Sequence, residues 1–250
     1  MIINADDFGY SASVNEAVTA CFKAGVINRT TIMVNMPGAE DAARLARENG
    51  FLDRVGLHIN LTEGRALTEA CAASELCDEN GVLKGTFHVS FKARLYLPAA
   101  VSRAIAAETE AQIKKYLSMG FTLLHADSHN YTHSYFSVYR QVKPLLVKYG
   151  FKSVRISRNI PEGSFSPAFA VYKGLFNFSV RHLARKGIAS TRYFGSLWDY
   201  EASPDKEKIK DDLELMTHPV MTADGVIDNT LPTPRPFLTR EQIEAYGFAL

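Results

Sequence analysis

Two adjacent carboxylates, Asp6 and Asp7, follow the short apolar run Met1-Ile2-Ile3 and precede a turn-forming glycine, Gly9. Paired acids at the end of a buried strand are costly in a core and useful on a catalytic rim. Regular strand alternation sends the two side chains to opposite faces, so both serve one site only if the chain turns, which Gly9 makes easy. Three further stretches carry reactive side chains: Gly56-Leu57-His58, the run from His125 through Asp127 and His129 to His133, and Met216-Thr217-His218-Pro219. Together they suggest one metal-dependent hydrolytic site drawn from four distant places in the sequence.

The specificity of these signals differs. A histidine flanked by leucine and isoleucine, as His58 is, more often satisfies a core than binds an ion. Here its strand face also carries Gly56 and Asn60, small or polar residues that suit a cavity border. Three of the chain's seven histidines fall between 125 and 133, and strand periodicity puts His125, Asp127 and His129 on one face. Imidazole suits zinc and other transition ions, and a neighbouring carboxylate is the usual orienting partner of a ligating ring. His129 is the favoured ligand of the run, with Asp127 behind it. His218, at the end of an apolar strand, could protonate a leaving group near neutral pH. Asp7-Phe8-Gly9 also matches a kinase metal motif, but it precedes any glycine-rich loop or strand lysine, so that reading fails on order.

Short apolar runs alternate with amphipathic stretches. Strands are expected at Met1–Ala5, Thr30–Asn35, Val55–Leu61, Thr122–Asp127, Ser153–Ser157 and Leu213–Thr217. Helices are expected from a capping box at Ser13–Glu16 to about Lys23, at Ala39–Glu48, Ala99–Met119, Tyr135–Tyr149, Ala168–Lys186 and Glu241–Tyr246. Pro144 should kink or divide the fourth of these. Residues 62–98 break the rhythm, and read as a lid or binding loop, or as a packed excursion with a small hairpin around Gly81. Phe87, Phe91 and Tyr96 in this segment, with Trp198-Asp199-Tyr200, offer sugar-stacking surface or core packing. Strand–helix alternation predicts a parallel sheet with outer helices in one domain over 1–250. The chemical residues, Arg155 included, fall at strand ends, which in a barrel share one rim, so a closed or nearly closed barrel is favoured over the alternative, an open doubly wound sheet, which here lacks a dinucleotide-binding glycine fingerprint.

Bulk properties narrow the function. Twenty-eight Lys and Arg balance 27 Asp and Glu, leaving no basic surplus to hold nucleic acid or an anionic membrane. No apolar run reaches spanning length. The early Asp6-Asp7 argues against a signal peptide, and Cys21, Cys71 and Cys77 lack a zinc or disulfide pattern, so a cytoplasmic location is expected.

The stretches Asn4–Gly9, Thr30–Asn35, Gly56–Thr62, His125–His133, Val154–Arg155 and Glu214–Pro219, in that order, resemble the YdjC (ChbG/HpnK-type) carbohydrate deacetylases, whose site chemistry is similar to that of NodB-like deacetylases. The resemblance implies a distorted, TIM-like (β/α) barrel with one divalent ion, Mg2+ or Zn2+, held by Asp7, His58 and His129. It implies Asp6 as catalytic base, His218 as general acid, and Arg155 as a support of base or substrate, with His125, Asp127 and His133 around them. It further implies a small N-acetylated sugar as substrate and a homodimer. Relatives often carry another histidine where Asn130-Tyr131 stand here, so no such auxiliary role carries over. Rival readings are another metal hydrolase on this barrel, an amidohydrolase or phosphoesterase, and a non-catalytic sugar-binding protein. Only Arg155 and Arg158 lie near the ligands in sequence, which disfavours a phosphoesterase.

Overall fold

Every strand of the main sheet is buried on both faces, as a parallel sheet wrapped by helices requires. The computed structural model describes residues 1–86, 91–160, 166–204, 206–229 and 235–245. In chain order the sheet strands are β1 (Ile2–Phe8), β2 (Arg29–Ile32), β3 (Val55–Ile59), β4 (His125–Ser128), β5 (Ser153–Val154), β6 (Tyr193–Ser196) and β7 (Leu213–Thr217). They pair in parallel in the order β5-β4-β3-β2-β1-β7-β6. The sheet curls into a half-barrel, and a single parallel bridge from Ser153 to Ala189 links β5 to the segment leading into β6. This is the distorted TIM-like (β/α) architecture expected.

The helices are α1 (Ala12–Lys23), α2 (Ala39–Glu48), α3 (Glu69–Ala72), α4 (Ala99–Ser118), α5 (Phe136–Lys148), α6 (Pro167–Arg181), α7 (Leu197–Ala202), α8 (Lys206–Ile209) and α9 (Arg240–Ala245). A smaller antiparallel sheet of β8 (Pro219–Thr222), β9 (Gly225–Asp228) and β10 (Arg235–Thr239) follows β7 directly. Neither this sheet nor β6 announces itself in the sequence.

Several boundaries differ from expectation for local reasons. The first helix is capped by Ser11, whose side chain accepts from Val14 N, and Ser13 instead donates to Met221 O. β2 ends at Ile32 and β3 at Ile59, because Met33, after a last bond to Phe8 O, enters a turn closed by Met36 N to Met33 O, and Asn60 Oδ1 folds the chain back by accepting from Thr62 N and Glu63 N. Residues past Val154 likewise leave the sheet. Pro144 does not divide α5: it and Arg140, whose carbonyl it cannot bond, are both exposed residues on the outer face of the helix. The helix from Pro167 stops at Arg181, followed by a 3-10 turn that Gly187 ends at φ +76°. Tyr246, at the end of the expected last helix, and Phe87 lie outside the described residues.

The excursion after β3 is packed. Glu108 on α4 accepts from Leu67 N, Thr68 N and the Thr68 hydroxyl, and short bridges Arg65–Val82 and Cys77–Leu83 form the small hairpin around Gly81. Gln112 on the same helix donates to Asn60 O and accepts from Asn60 N, fixing the exit of β3. α4 thus holds both the strand that carries His58 and the loop that follows it.

Candidate metal centre

Asp6 and Asp7 reach one site because the strand breaks its own alternation. Asp7 adopts φ +66°, a left-handed conformation unusual for a non-glycine residue and common at functional sites. The β1–β2 register shifts between Ala5 and Phe8. The turn expected at Gly9 therefore begins two residues earlier, at the acid itself, and Gly9 (φ +89°) completes it. Beyond β4, His129 is followed by two more left-handed residues, Asn130 and Tyr131, which lift the chain away from the rim and leave the His129 ring over the barrel mouth.

Asp7, His58 and His129 meet at that mouth. Asp7 Oδ1 lies 3.2 Å from His58 Nε2 and 2.8 Å from His129 Nδ1, and one donor atom of each residue lies within 4.8 Å of the others. Metal–ligand bonds of about 2.0–2.2 Å place neighbouring donors roughly 3 Å apart, so these separations suit a shared ion. Two more clusters of metal-binding type, Asp6–His58–Asp127 and His125–Asp127–Glu214, lie below. They are fully buried and already hold a cation, the Arg155 guanidinium.

Arg155 is fully buried and fully used. Nη1 and Nη2 donate to Asp6 Oδ2 and Oδ1 at 2.7 and 2.8 Å, Nη2 also reaches Asp127 Oδ2 at 2.8 Å, and Nε donates to Glu214 Oε1 at 2.6 Å. Burial alone would raise the Asp6 pKa, but the Arg155 charge and hydrogen bonds outweigh it and hold the carboxyl at about 2. Glu214 is pushed up by burial in spite of Arg155 and Arg29. Asp7 has no arginine; burial raises it, and hydrogen bonds from His129 and His58 bring it well below the usual carboxylate range. Burial disfavours charge on His58, yet Asp127 and Asp7 raise it to about 10. The mouth is thus an electronegative place that draws positive charge, protons or a cation, onto the two imidazoles. That donor set fits a divalent ion.

The remaining candidates occupy distinct layers. Asp127 accepts from His58 Nδ1 at 2.7 Å and from the Thr31 hydroxyl at 3.0 Å, so it stands behind His58 and not behind His129. His218 Nε2 lies 4.0 Å from Asp6 Oδ2 and 3.9 Å from Asp7 Oδ2, and Asp228 accepts from its backbone N–H. Asp6, Asp7, Glu63, His129 and His218 line a cleft of about 390 Å³, with Tyr10 on its edge.

His125 and His133 do not line it. His125 shares the face of Asp127 but sits about 7 Å lower at the strand rise of about 3.3 Å per residue. There its Nδ1 meets Ser153 Oγ at 2.8 Å and Arg29 at 3.3 Å, beside a separate cavity of about 260 Å³ at the other end of the barrel. His133 is buried; Nε2 donates to Arg155 O at 3.0 Å, Nδ1 accepts from Ser128 Oγ at 2.6 Å, and burial lowers its pKa to about 4. It braces the arginine segment. Arg155 faces Asp6 and has no exposure toward the cleft. Phe91, Tyr96 and Trp198 are exposed but away from the cleft, whose aromatic is Tyr10.

Glu63 and Glu214 were not picked out by sequence. Glu63 Oε1 lies 3.1 Å from His129 Nε2, opposite the nitrogen that faces Asp7. A lone acid in a polar stretch gives no signal. Glu214 does: an acid within Leu213-Glu214-Leu215-Met216 demands a buried cation, and Arg155 is that cation.

A sequence profile of the YdjC-like protein family matches residues 1–243. Proteins named carbohydrate deacetylase are similar over part of the chain: one from Geobacillus stearothermophilus is 39% identical over 59% of this chain and 56% of its own length. One from Thermoanaerobacter pseudethanolicus is 39% identical over 55% and 53%. The chain thus spans about half the length of these relatives in alignment, whereas one from Halalkalibacterium halodurans aligns over 88% of this chain and 84% of itself at 29% identity. Among solved structures, an Enterococcus faecalis protein described as a candidate cellobiose-phosphate cleavage protein superposes with a TM-score of 0.64 at 22% identity, over 88% of this chain and 81% of that one, which speaks to the fold. With the profile running from β1 into α9, the chain belongs to the YdjC-like protein family.

Proposed function

We propose that the protein is a metal-dependent hydrolase that removes the N-acetyl group from acetylated amino sugars, such as N-acetylglucosamine-containing oligosaccharides, and releases acetate. The observation that carries this reading is the convergence of Asp7, His58 and His129 at the mouth of a cleft that also holds Asp6 and His218. The names of the curated relatives support the acetylated-sugar substrate. Two imidazoles and one carboxylate suit zinc better than magnesium, which prefers oxygen donors.

A divalent ion held by these three residues would supply Lewis acidity toward the acetyl carbonyl and acidify a bound water. Asp6 takes the proton of the attacking water, with Arg155 fixing the carboxylate in place. That clamp also keeps Asp6 a weak base, and an ion held by Asp7, His58 and His129 would supply the acidity of the water that Asp6 needs. His218, across the cleft and within about one hydrogen-bond length plus a small shift of both acids, gives a proton to the departing amine. Tyr10 and the apolar walls Val14, Pro219 and Val220 face the sugar. No helix of the described residues is long and apolar enough to cross a membrane, and Cys21, Cys71 and Cys77 are buried free thiols, which fits a cytoplasmic enzyme. The family resemblance adds a homodimer to the proposal.

The test is acetate release from chitobiose-type substrates by purified protein, with and without a chelator and with zinc or magnesium restored. Metal-dependent acetate release is expected. Sugar binding without turnover would make it a binding protein, and turnover only of phosphoesters or cyclic amides would move it to another hydrolase class.

A further inference from the structure

The two histidines at the mouth are held by different carboxylates at different ring nitrogens. His58 gives its Nδ1–H to Asp127, 2.7 Å away, and turns Nε2 to Asp7. His129 is reversed: Nδ1 faces Asp7 Oδ1 at 2.8 Å, and Nε2 faces Glu63 Oε1 at 3.1 Å. A carboxylate accepts only, so a ring nitrogen against it must carry a proton unless a cation lies between them. Once Nδ1 of His129 is given to a cation shared with Asp7, its one remaining proton belongs on Nε2, toward Glu63.

Glu63 is placed for this by its backbone. Its carbonyl accepts from Asn60 Nδ2 at 2.7 Å and from Asn35 Nδ2 at 3.0 Å, and its N–H donates to Asn60 Oδ1 at 3.1 Å. Asn60 is itself fixed through Gln112 of α4. The side chain is therefore delivered from a rigid turn at the start of the excursion, and it lines the cleft.

We propose that Glu63 is a positioning residue that fixes the Nε2–H tautomer of His129, so that the centre binds its ion through Nδ1 of His129 and Nε2 of His58. This deepens the metal-hydrolase reading and rests on it. An outer carboxylate of this kind raises the basicity of the ligating ring and holds its orientation, and its loss typically weakens metal binding about 10- to 100-fold.

Histidine-selective 15N labelling with 113Cd2+ as the probe reports which ring nitrogen of each histidine couples to the ion, and competition with a chromophoric chelator reports Zn2+ affinity. Coupling through His129 Nδ1 and His58 Nε2 is expected. Glu63→Gln should lose about 10- to 100-fold in Zn2+ affinity and show mixed His129 tautomers, with His58 signals unmoved, and Glu63→Asp should recover part of the loss. Cadmium on His129 Nε2, or unchanged zinc affinity in Glu63→Gln, overturns the role of Glu63 and leaves the metal centre standing. Failure of the unaltered protein to bind either ion overturns the metal reading and this inference together.

Discussion

The site has a floor and a rim, built on opposite plans. The floor is Arg155 among Asp6, Asp127 and Glu214, with His58 above, all from sheet strands or their immediate ends and all buried. The rim is Asp7, at the left-handed break near the end of β1, with His129, Glu63 and His218 from turns and loops beyond the strand ends, all partly open to the cleft. Charges on the floor are matched by direct pairing and cannot move without exposing a partner. On the rim, negative charge is answered by imidazoles, which exchange a proton for a cation. The contrast teaches that the sheet supplies fixed charge and the loops supply exchangeable charge, and that the two should respond differently to the same kind of damage.

The sharpest break is Arg155→Leu. Removing a buried cation leaves three carboxylates without their partner, which should cost about 3–5 kcal/mol of stability. Chemical denaturation should show this, together with loss of activity. A loss below about 1 kcal/mol would mean the floor is wet or can rearrange. His218→Asn is the matching change on the rim. It should lower turnover by roughly a hundredfold to ten-thousandfold while leaving the denaturation midpoint where it was. A variant that lost stability instead would place His218 with the floor.

Acid separates the layers further. Burial, more than the opposing pull of Asp127, holds His133 at about 4, below the ordinary histidine value near 6.5. Below 6.5 the unfolded chain takes up a proton that the folded chain refuses. The stability owed to neutral His133 is thus complete above about 6.5 and is lost as pH falls toward 4, by up to about 3 kcal/mol. Asp6, whose pKa is depressed to about 2, adds its own loss only below its unfolded value of 3.8. In metal-free protein the raised pKa of His58 gives no slope in this window, because that contribution is already complete below 6.5. Denaturation from pH 7 to 4 should show the decline, and His133→Gln should reduce it, leaving the part owed to His125, which burial first and then the Arg29 and Arg155 charges hold well below the usual histidine range. An unchanged slope in that variant would assign the acid sensitivity to other groups.

The same division explains what could be read from sequence. The floor strands are legible because short apolar runs end in polar residues, as at Asn4-Ala5-Asp6 and Gly56-Leu57-His58. Their lengths are not, since the apolar runs continue past the paired residues, with Met33 and Arg155 making one last backbone bond each to Phe8 and Ala126 before the chain leaves the sheet. β6 and the sheet of β8–β10 escape because strands of four or five residues around Gly195, Pro219 and Pro236 carry little alternation. Asp7 and His129 on the rim, and His58 just above the floor, can be named from residue type and setting. The partner of His129 cannot: Asp127 is nearer in sequence, but the break after Ser128 turns His129 toward Glu63 while Asp127 stays with His58. His125 and His133 mislead for a related reason, since periodicity gives a side chain's face and not its depth along the strand.

The smallest effect expected is also the one that sharpens the rim most. The Tyr10 hydroxyl hydrogen-bonds Glu63, and Tyr10 is among the more exposed residues of the cleft. If Glu63 owes its position to the tyrosine, Tyr10→Phe should weaken Zn2+ binding as Glu63→Gln does. If it owes it to the backbone bonds with Asn60 and Asn35, the phenylalanine variant should bind within a few-fold of the unaltered protein. The backbone bonds are short and tie Glu63 to side chains that are themselves buried, so the second outcome is expected, with stability changed by no more than about 0.5 kcal/mol. A tenfold or larger loss of zinc affinity in Tyr10→Phe would show that the rim is held by its exposed side chains, and that its order is borrowed from the cleft wall and not from the strands beneath.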